Sequence, residues 1–300
     1  MKNLSIFLAC LHFIISFSAW GNPPGWVSLS ELHSLTLEKE IKKSSSQGLF
    51  QVRTWSQELR FVKWYKKPMV TPHARDLLSQ ITDLNSGHVV KAEIAESSEV
   101  LWLIMHPAKL DVMDHILDQG PMGGNLLRSF VRQTAMAVLD LHKAGVCHND
   151  IKPDNILIFD SGFKLADFDF VSAAGPACRQ RAGTSIYGAP ETSLIEIPGF
   201  QFYDCRFADI WSLGYSYFVA ATVTNPWAAP DSKQSDFRSF WIRYIWDSIA
   251  GQATLERQLD QAGENLQSSF MDLVKKMLRI QPGERLSLED VLTHPYLQED

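Results

Sequence analysis

The residues able to do chemistry are concentrated between His148 and Asp169. His148-Asn149-Asp150-Ile151-Lys152-Pro153-Asp154-Asn155 offers a carboxylate (Asp150), an ammonium two positions on (Lys152) and an amide (Asn155) just ahead of an apolar run. A second carboxylate, Asp167, follows in Lys164-Leu165-Ala166-Asp167-Phe168-Asp169. Amide and carboxylate oxygens converging on one point are hard ligands suited to Mg²⁺, so Asn155 and Asp167 are candidate metal ligands. Asp150 and Lys152 are then left to orient a nucleophile and to neutralise a phosphoryl group. Phosphoryl transfer of that kind is positioning plus charge stabilisation, with little covalent work for the protein.

These groups meet only if the chain between them turns back. Residues 156–159 and 163–166 read as strands joined by Asp160-Ser161-Gly162, a hairpin signal that returns Asp167 to the side of Asn155. Upstream, Leu126, Leu127, Phe130, Val131, Ala135, Val138 and Leu141 form one apolar stripe of a helix that faces a core. Helical spacing returns over 210–221, 237–249 and 270–278, with a last helix around 288–293. The first part of the chain differs: 35–43, 49–55, 59–67, 88–96 and 99–105 read as strands. Leu77, Leu78, Ile81 and Leu84 set one helix among them. The expected fold is α+β with two lobes: a small antiparallel β lobe with one main helix (35–106) and a larger, mostly helical lobe (107–297), with a cleft between.

The run HNDIKPDNIL resembles the catalytic loop of the protein-kinase family (His-Arg-Asp-x-Lys-x-x-Asn), and LADFD resembles the strand and Asp-Phe-Gly that follow it there. Further landmarks follow in the family's order: Gly183 to Glu191 (GTSIYGAPE), Ala208 to Gly214 (ADIWSLG), Asn225-Pro226-Trp227, Pro282-Gly283-Glu284-Arg285 and His294-Pro295-Tyr296. The similarity covers 35–297 and is most specific over 138–297. It implies a Ser/Thr protein kinase that uses ATP and Mg²⁺ on a protein substrate. Asp150 would then be the catalytic base, Lys152 would contact the γ-phosphate, and Asn155 and Asp167 would hold the metal. Thr184 beside Asp150 and Lys152 is the arrangement of the Ser/Thr-specific branch. Glu191 would pair with Arg285, and Asp209 would hold the backbone of the catalytic loop. Met105 would border the nucleotide pocket, with His106 to Ala108 as the hinge.

The small lobe resembles the family less closely. Lys63 in Phe61-Val62-Lys63 takes the place of the lysine that holds the α/β-phosphates; an ordinary solvated lysine in a basic run is the alternative. The glycine-rich loop is reduced to SSSQGLFQV, with Gly48 where the family has three glycines. Asp76 is the nearest carboxylate for pairing with Lys63, although a gapless reading puts Leu77 there. Asn149 replaces the arginine that receives an activation-segment phosphate, which implies basal activity without phosphorylation there. Asp169 replaces the glycine after Asp167-Phe168 and would either join the metal shell or face solvent. These departures keep open a pseudokinase that binds ATP or acts as a scaffold; a small-molecule phosphotransferase is a third reading.

The whole chain has the composition of a globular protein, which leaves function open. It has 300 residues, 45% hydrophobic and 21% charged, ample for a core without disulfide or metal staples. A net charge of −6 argues against nucleic acid as a partner. Residues 4–20 (LSIFLACLHFIISFSAW) follow Lys2 and precede Asn22-Pro23-Pro24-Gly25, the pattern of a signal peptide over 1–21 and a linker over 22–34. A membrane anchor is the alternative, though 17 residues is short of the ~20 that span a bilayer. The expectation is export, or attachment through 4–20, and otherwise a monomer. Cys147, Cys178 and Cys205 remain after residue 21. Free thiols are expected, with a bridge between Cys178 and Cys205 the alternative.

Overall fold

The computed structural model describes residues 35–44, 47–179, 183–194, 202–225 and 248–298. The expected signal peptide and linker, most of the helix expected over 237–249, and Trp227 lie outside them. The described residues divide into two compact units, one comprising those up to 84 together with 90–108, the other those of 85–89 together with those from 109 onward.

The first unit is a five-stranded antiparallel sheet. Its strands are β1 (Thr36–Lys43), β2 (Gln47–Arg53), β3 (Leu59–Lys66), β4 (Ala92–Glu96) and β5 (Val100–Met105), in the order β1-β2-β3-β5-β4. Alternation sets its faces: in β2 Gly48, Phe50 and Val52 are buried while their neighbours are not. Phe50, Val52, Val62, Trp64, Val100, Trp102 and Ile104 form one buried cluster, with Phe50 stacked on Trp64 at 6.5 Å between centroids. Helix α1 (Pro72–Asp83) starts with Thr71 accepting from Ala74 N and Pro72 in the first turn. It buries Leu77, Leu78 and Ile81.

The second unit is mostly helical. α2 (Val112–Gln119) was not anticipated from periodicity; it is short, and its start and stop are chemical. Asp111 caps it, and Gly120 ends it at φ 84°, a conformation that costs glycine little. α3 (Gly124–Lys143) buries the expected stripe with one correction: Leu126 is 43% exposed. One position on, Leu127 points to the core with Phe130, Val131 and Thr134, and the helical turn carries Leu126 onto the flank. Two strands, β6 (Leu110–Asp111) and β7 (Val146–Cys147), bracket these helices in the sequence.

β8 (Ile156–Phe159) and β9 (Gly162–Leu165) form the expected hairpin, and β6 adds to it in the order β6-β8-β9. β10 (Ser172–Ala173) pairs with β7. α4 (Cys205–Thr222) is buried along nearly its whole length from Ala208 to Ala221, so it serves as the axis of the unit. Phe130 of α3 lies edge-on to Tyr217 of α4 and to Phe163 of β9, at 5.5 and 5.1 Å. α5 (Ser248–Ala262), α6 (Ser268–Met277) and α7 (Leu288–Thr293) complete the unit. Among the described residues no helix is long and apolar enough to cross a membrane.

Candidate active site

The loop between β7 and β8 is fixed from beneath by one buried carboxylate. Asp209, within α4, accepts from His148 N at 2.9 Å through Oδ2 and from Asn149 N at 2.8 Å through Oδ1. His142 Nε2 donates to the same Oδ2 at 2.9 Å. The His148 ring spans the loop: Nε2 donates to Ala166 O at 2.9 Å, and Nδ1 accepts from Asp150 N at 3.2 Å. One neutral tautomer satisfies both contacts. His148 therefore ties Asp150 to the end of β9, one residue before Asp167.

With the backbone held, four side chains converge. Asp150 is buried, and its Oδ1 accepts from Thr184 N at 2.7 Å. Its Oδ2 accepts from Asn155 Nδ2 at 2.9 Å and lies 2.9 Å from Lys152 Nζ. Lys152 Nζ also donates to Thr184 Oγ1 at 2.7 Å. Asn155 Nδ2 donates further to Asp150 O at 2.8 Å, which fixes the orientation of its amide and turns Oδ1 into the available oxygen donor. Gly183 makes the approach of Thr184 possible: its φ is 79°, and a Cβ there would stand 2.2 Å from Asn149 O.

The hairpin returns the second carboxylate as its register requires. Ile156 pairs with Leu165, and Ala166 N donates to Asn155 O at 2.9 Å, so Asp167 follows directly beside the loop. Asp167 is exposed and holds a left-handed φ of 63°. Phe168 packs edge-on against His148 at 5.4 Å. Hard oxygens from Asn155 and Asp167 fit a divalent cation such as Mg²⁺ by the chemistry of the donor set.

The remaining candidates belong to the first unit. Lys63 lies in β3 between Leu49 and Leu103 of the neighbouring strands, with Nζ 5.3 Å from the centroid of the Tyr65 ring. Gly48 is buried within the ladder, opposite Lys43 and Trp64, where alternation sends it to the core face. Asp76 is exposed on α1 and lines a small depression with Lys67, Val70, Pro72, Arg75 and Leu101. The cations beside it, Lys67 and Arg75, both pair with Glu96. Leu77, the gapless alternative, is buried. Met105 ends β5, and Ala108 closes the unpaired stretch at which the first unit ends.

Two further relationships surround the site. Glu191 and Arg285 form a two-pronged pair, with Nη1–Oε1 at 2.6 Å and Nη2–Oε2 at 2.7 Å. Arg285 also donates to Phe207 O and Arg279 O at 2.8 Å each and stacks over Trp211 at 5.0 Å. The amide of Asn149 reaches Phe170 O at 2.8 Å and Ser172 Oγ at 2.9 Å. That contact and the grip of His142 on Asp209 were missed in the sequence, where no local spacing signals either.

Comparison with known proteins follows the same lines. The family described as protein kinase domain matches residues 42–297. Serine/threonine-protein kinase cds1 of Schizosaccharomyces pombe is 29% identical over 280 residues, covering 86% of this chain and 58% of that protein. Serine/threonine-protein kinase CHK1 of Saccharomyces cerevisiae is 29% identical over 210 residues, 67% of this chain and 37% of that protein. Calcium-dependent protein kinase 15 of Oryza sativa is 30% identical over 199 residues, 63% of this chain and 33% of that protein. The chain spans less than two thirds of the length of each of these relatives.

Proposed function

The chain belongs to the protein kinase family, and from that premise we propose that it transfers the γ-phosphoryl group of ATP to a serine or threonine hydroxyl of a protein substrate. The observation that carries this reading is the convergence of Asp150, Lys152, Asn155 and Thr184 within hydrogen-bond distance.

In the reaction, Asp150 accepts the proton of the attacking hydroxyl. Its carboxylate is held in one orientation by Thr184 N, Asn155 Nδ2 and Lys152 Nζ, so a substrate hydroxyl meets a preset acceptor. Lys152, placed between Asp150 and Thr184, carries the positive charge that offsets charge on the γ-phosphoryl oxygens as the leaving bond stretches. Thr184 positions both groups, through its N–H on Asp150 and its hydroxyl on Lys152. Asn155 and Asp167 are the residues that would hold Mg²⁺, which when bound neutralises charge on the β- and γ-phosphates. Lys63 is assigned to the α/β-phosphates, with Asp76 as its carboxylate partner, Gly48 to the phosphate loop, and Met105 to Ala108 to the border of the nucleotide pocket and the hinge.

The test is direct. The purified chain is incubated with labelled ATP, Mg²⁺ and a generic basic protein, beside Asp150→Ala. Label transfer by the wild type and not by the variant supports the enzyme. Stabilisation by ATP without transfer supports the non-catalytic ATP-binding module instead, and an intact rate in Asp150→Ala overturns Asp150 as base. Export, or anchoring through residues 4–20, is a separate proposal that rests on the apolar run there. N-terminal sequencing of the protein recovered from the producing cell tests it.

A further inference from the structure

Three thiols meet behind the catalytic loop. Cys147 ends β7 immediately before His148, Cys178 lies in the segment after β10, and Cys205 opens α4. None of the three is in a disulfide. The Cys205 thiol is their common neighbour, interacting electrostatically with Cys147 on one side and with Cys178 on the other. Its Sγ lies 3.5 Å from Ala173 O and 3.6 Å from Gly175 O. Cys178 Sγ converges on that same Ala173 O at 3.9 Å and touches Ser172 Oγ at 3.4 Å. The backbone keeps the pair in register: Cys178 and Tyr203 exchange both hydrogen bonds, at 3.0 and 3.1 Å, two residues before Cys205.

Access orders the three. Cys147 and Cys205 are buried, whereas Cys178 is half-buried and is the thiol that solvent reaches. We propose that Cys178 and Cys205 are an oxidation site at which a small-molecule disulfide, such as glutathione disulfide, is reduced while the two thiols close to a Cys178–Cys205 bridge. In the first step the Cys178 thiolate attacks one sulfur of the small disulfide, whose S–S bond breaks; one thiol leaves, carrying the proton given up by Cys178. In the second step Cys205 Sγ attacks Cys178 Sγ, the mixed disulfide breaks, and the second small thiol leaves with the proton of Cys205. Two electrons pass from the protein to the oxidant, and two small thiols are released.

The microenvironment sets the pace. The hydrogen bond to Cys205, then burial, hold the Cys178 thiol far above its ordinary range, so thiolate is scarce at neutral pH and the first exchange is slow. The second exchange joins two sulfurs that share Ala173 O as a neighbour, at 3.9 and 3.5 Å. Ser172 Oγ, which touches Cys178, also receives the Asn149 amide. Any effect of the bridge on phosphoryl transfer would rest on the function proposed above, so the test reads the bond and not the activity.

The native full chain is incubated with glutathione disulfide in mildly alkaline buffer and quenched in acid. Remaining thiols are alkylated, and the digest is mapped without reductant. The expected product links the Cys178 peptide to the Cys205 peptide, with Cys147 alkylated, and the link vanishes on reduction. Glutathione retained on Cys178 with Cys205 alkylated would overturn the proposal, as would a link between Cys147 and Cys205 or alkylation of Cys147, Cys178 and Cys205 together. Cys178→Ser, a change at a half-buried position, should abolish modification of Cys205. Modification of Cys205 at the wild-type rate in that variant would also sink the assignment.

Discussion

Asn149 Nδ2 stands 2.9 Å from Ser172 Oγ and 2.8 Å from Phe170 O, so a neutral amide joins the catalytic loop to the segment that follows Asp167. The backbone of Asn149 is left-handed, at φ 63°, and its N–H is held by Asp209. No phosphate is required for this link. Phosphatase-treated protein is therefore expected to keep its activity. Asn149→Gly suits the backbone and deletes only the amide; two lost hydrogen bonds of about 1 kcal/mol each should lower kcat roughly tenfold or more. Ser172→Ala removes one of the two acceptors that hold the Asn149 amide across this link, Phe170 O remaining, and should stay within about threefold of wild type. Steady-state kinetics on dephosphorylated protein checks both, and abolished activity in Ser172→Ala would contradict the neutral link.

Gly183 and Gly120 separate backbone strain from crowding at the site. Both have positive φ, 79° and 84°, but a Cβ on Gly120 meets nothing within 4 Å. On Gly183 it would stand 2.2 Å from Asn149 O and 2.9 Å from Asp150 Oδ1. Each alanine variant should cost about 1–3 kcal/mol of stability from the backbone. Gly183→Ala should in addition displace Thr184 N from Asp150 and cut kcat/KM by about a hundredfold, while Gly120→Ala leaves kcat/KM unchanged. Thermal melts and kinetics on the pair resolve the two effects.

The Glu191–Arg285 pair has the Arg285 side chain fully buried and Glu191 13% exposed. Breaking such a pair from one side leaves a charge without its partner, at a cost of about 3–5 kcal/mol. Arg285→Met should lower the urea midpoint accordingly. Arg285→Met combined with Glu191→Leu removes both charges and should regain part of the loss. A double variant no more stable than Arg285→Met would show that the backbone contacts of Arg285, and not the pair, carry the effect.

What could be read from the amino-acid sequence follows the range over which each feature is encoded. Asp150, Lys152 and Asn155 fall within six residues, and the hairpin that returns Asp167 is announced by its own turn, so these were legible from spacing alone. Glu191 and Arg285 are 94 positions apart and Asp209 is 60 from Asn149; only the family resemblance linked them. The Asn149 contact combines a left-handed backbone, which asparagine tolerates without specifying it, with partners 21 and 23 positions away. Gly48, the one glycine left in the stretch that resembles the glycine-rich loop, lies on the buried face of β2, as strand alternation requires. The thiol cluster is assembled from a strand, a loop and a helix start; the sequence offered a Cys178–Cys205 bridge only as an alternative, and nothing in the spacing places Cys147 beside them.

Asp111 links the fold to pH. Burial first, and then the charges of Asp114 and Asp154, raise its carboxyl from 3.8 to about 6, although its hydrogen bond from Asp114 N opposes the rise. The folded state therefore keeps a proton that the unfolded chain releases. The stabilisation this represents is complete below 3.8 and is lost as pH rises through about 6. Asn at the same cap accepts the same N–H without a charge. Asp111→Asn should thus match wild type at the acid end and become more stable than it across that window. The gain should reach about 1 kcal/mol, since solvent screens a half-buried group. Urea unfolding of both proteins at a series of pH values gives the difference; a gap that stays constant, or narrows as pH rises, would exclude Asp111 as its source.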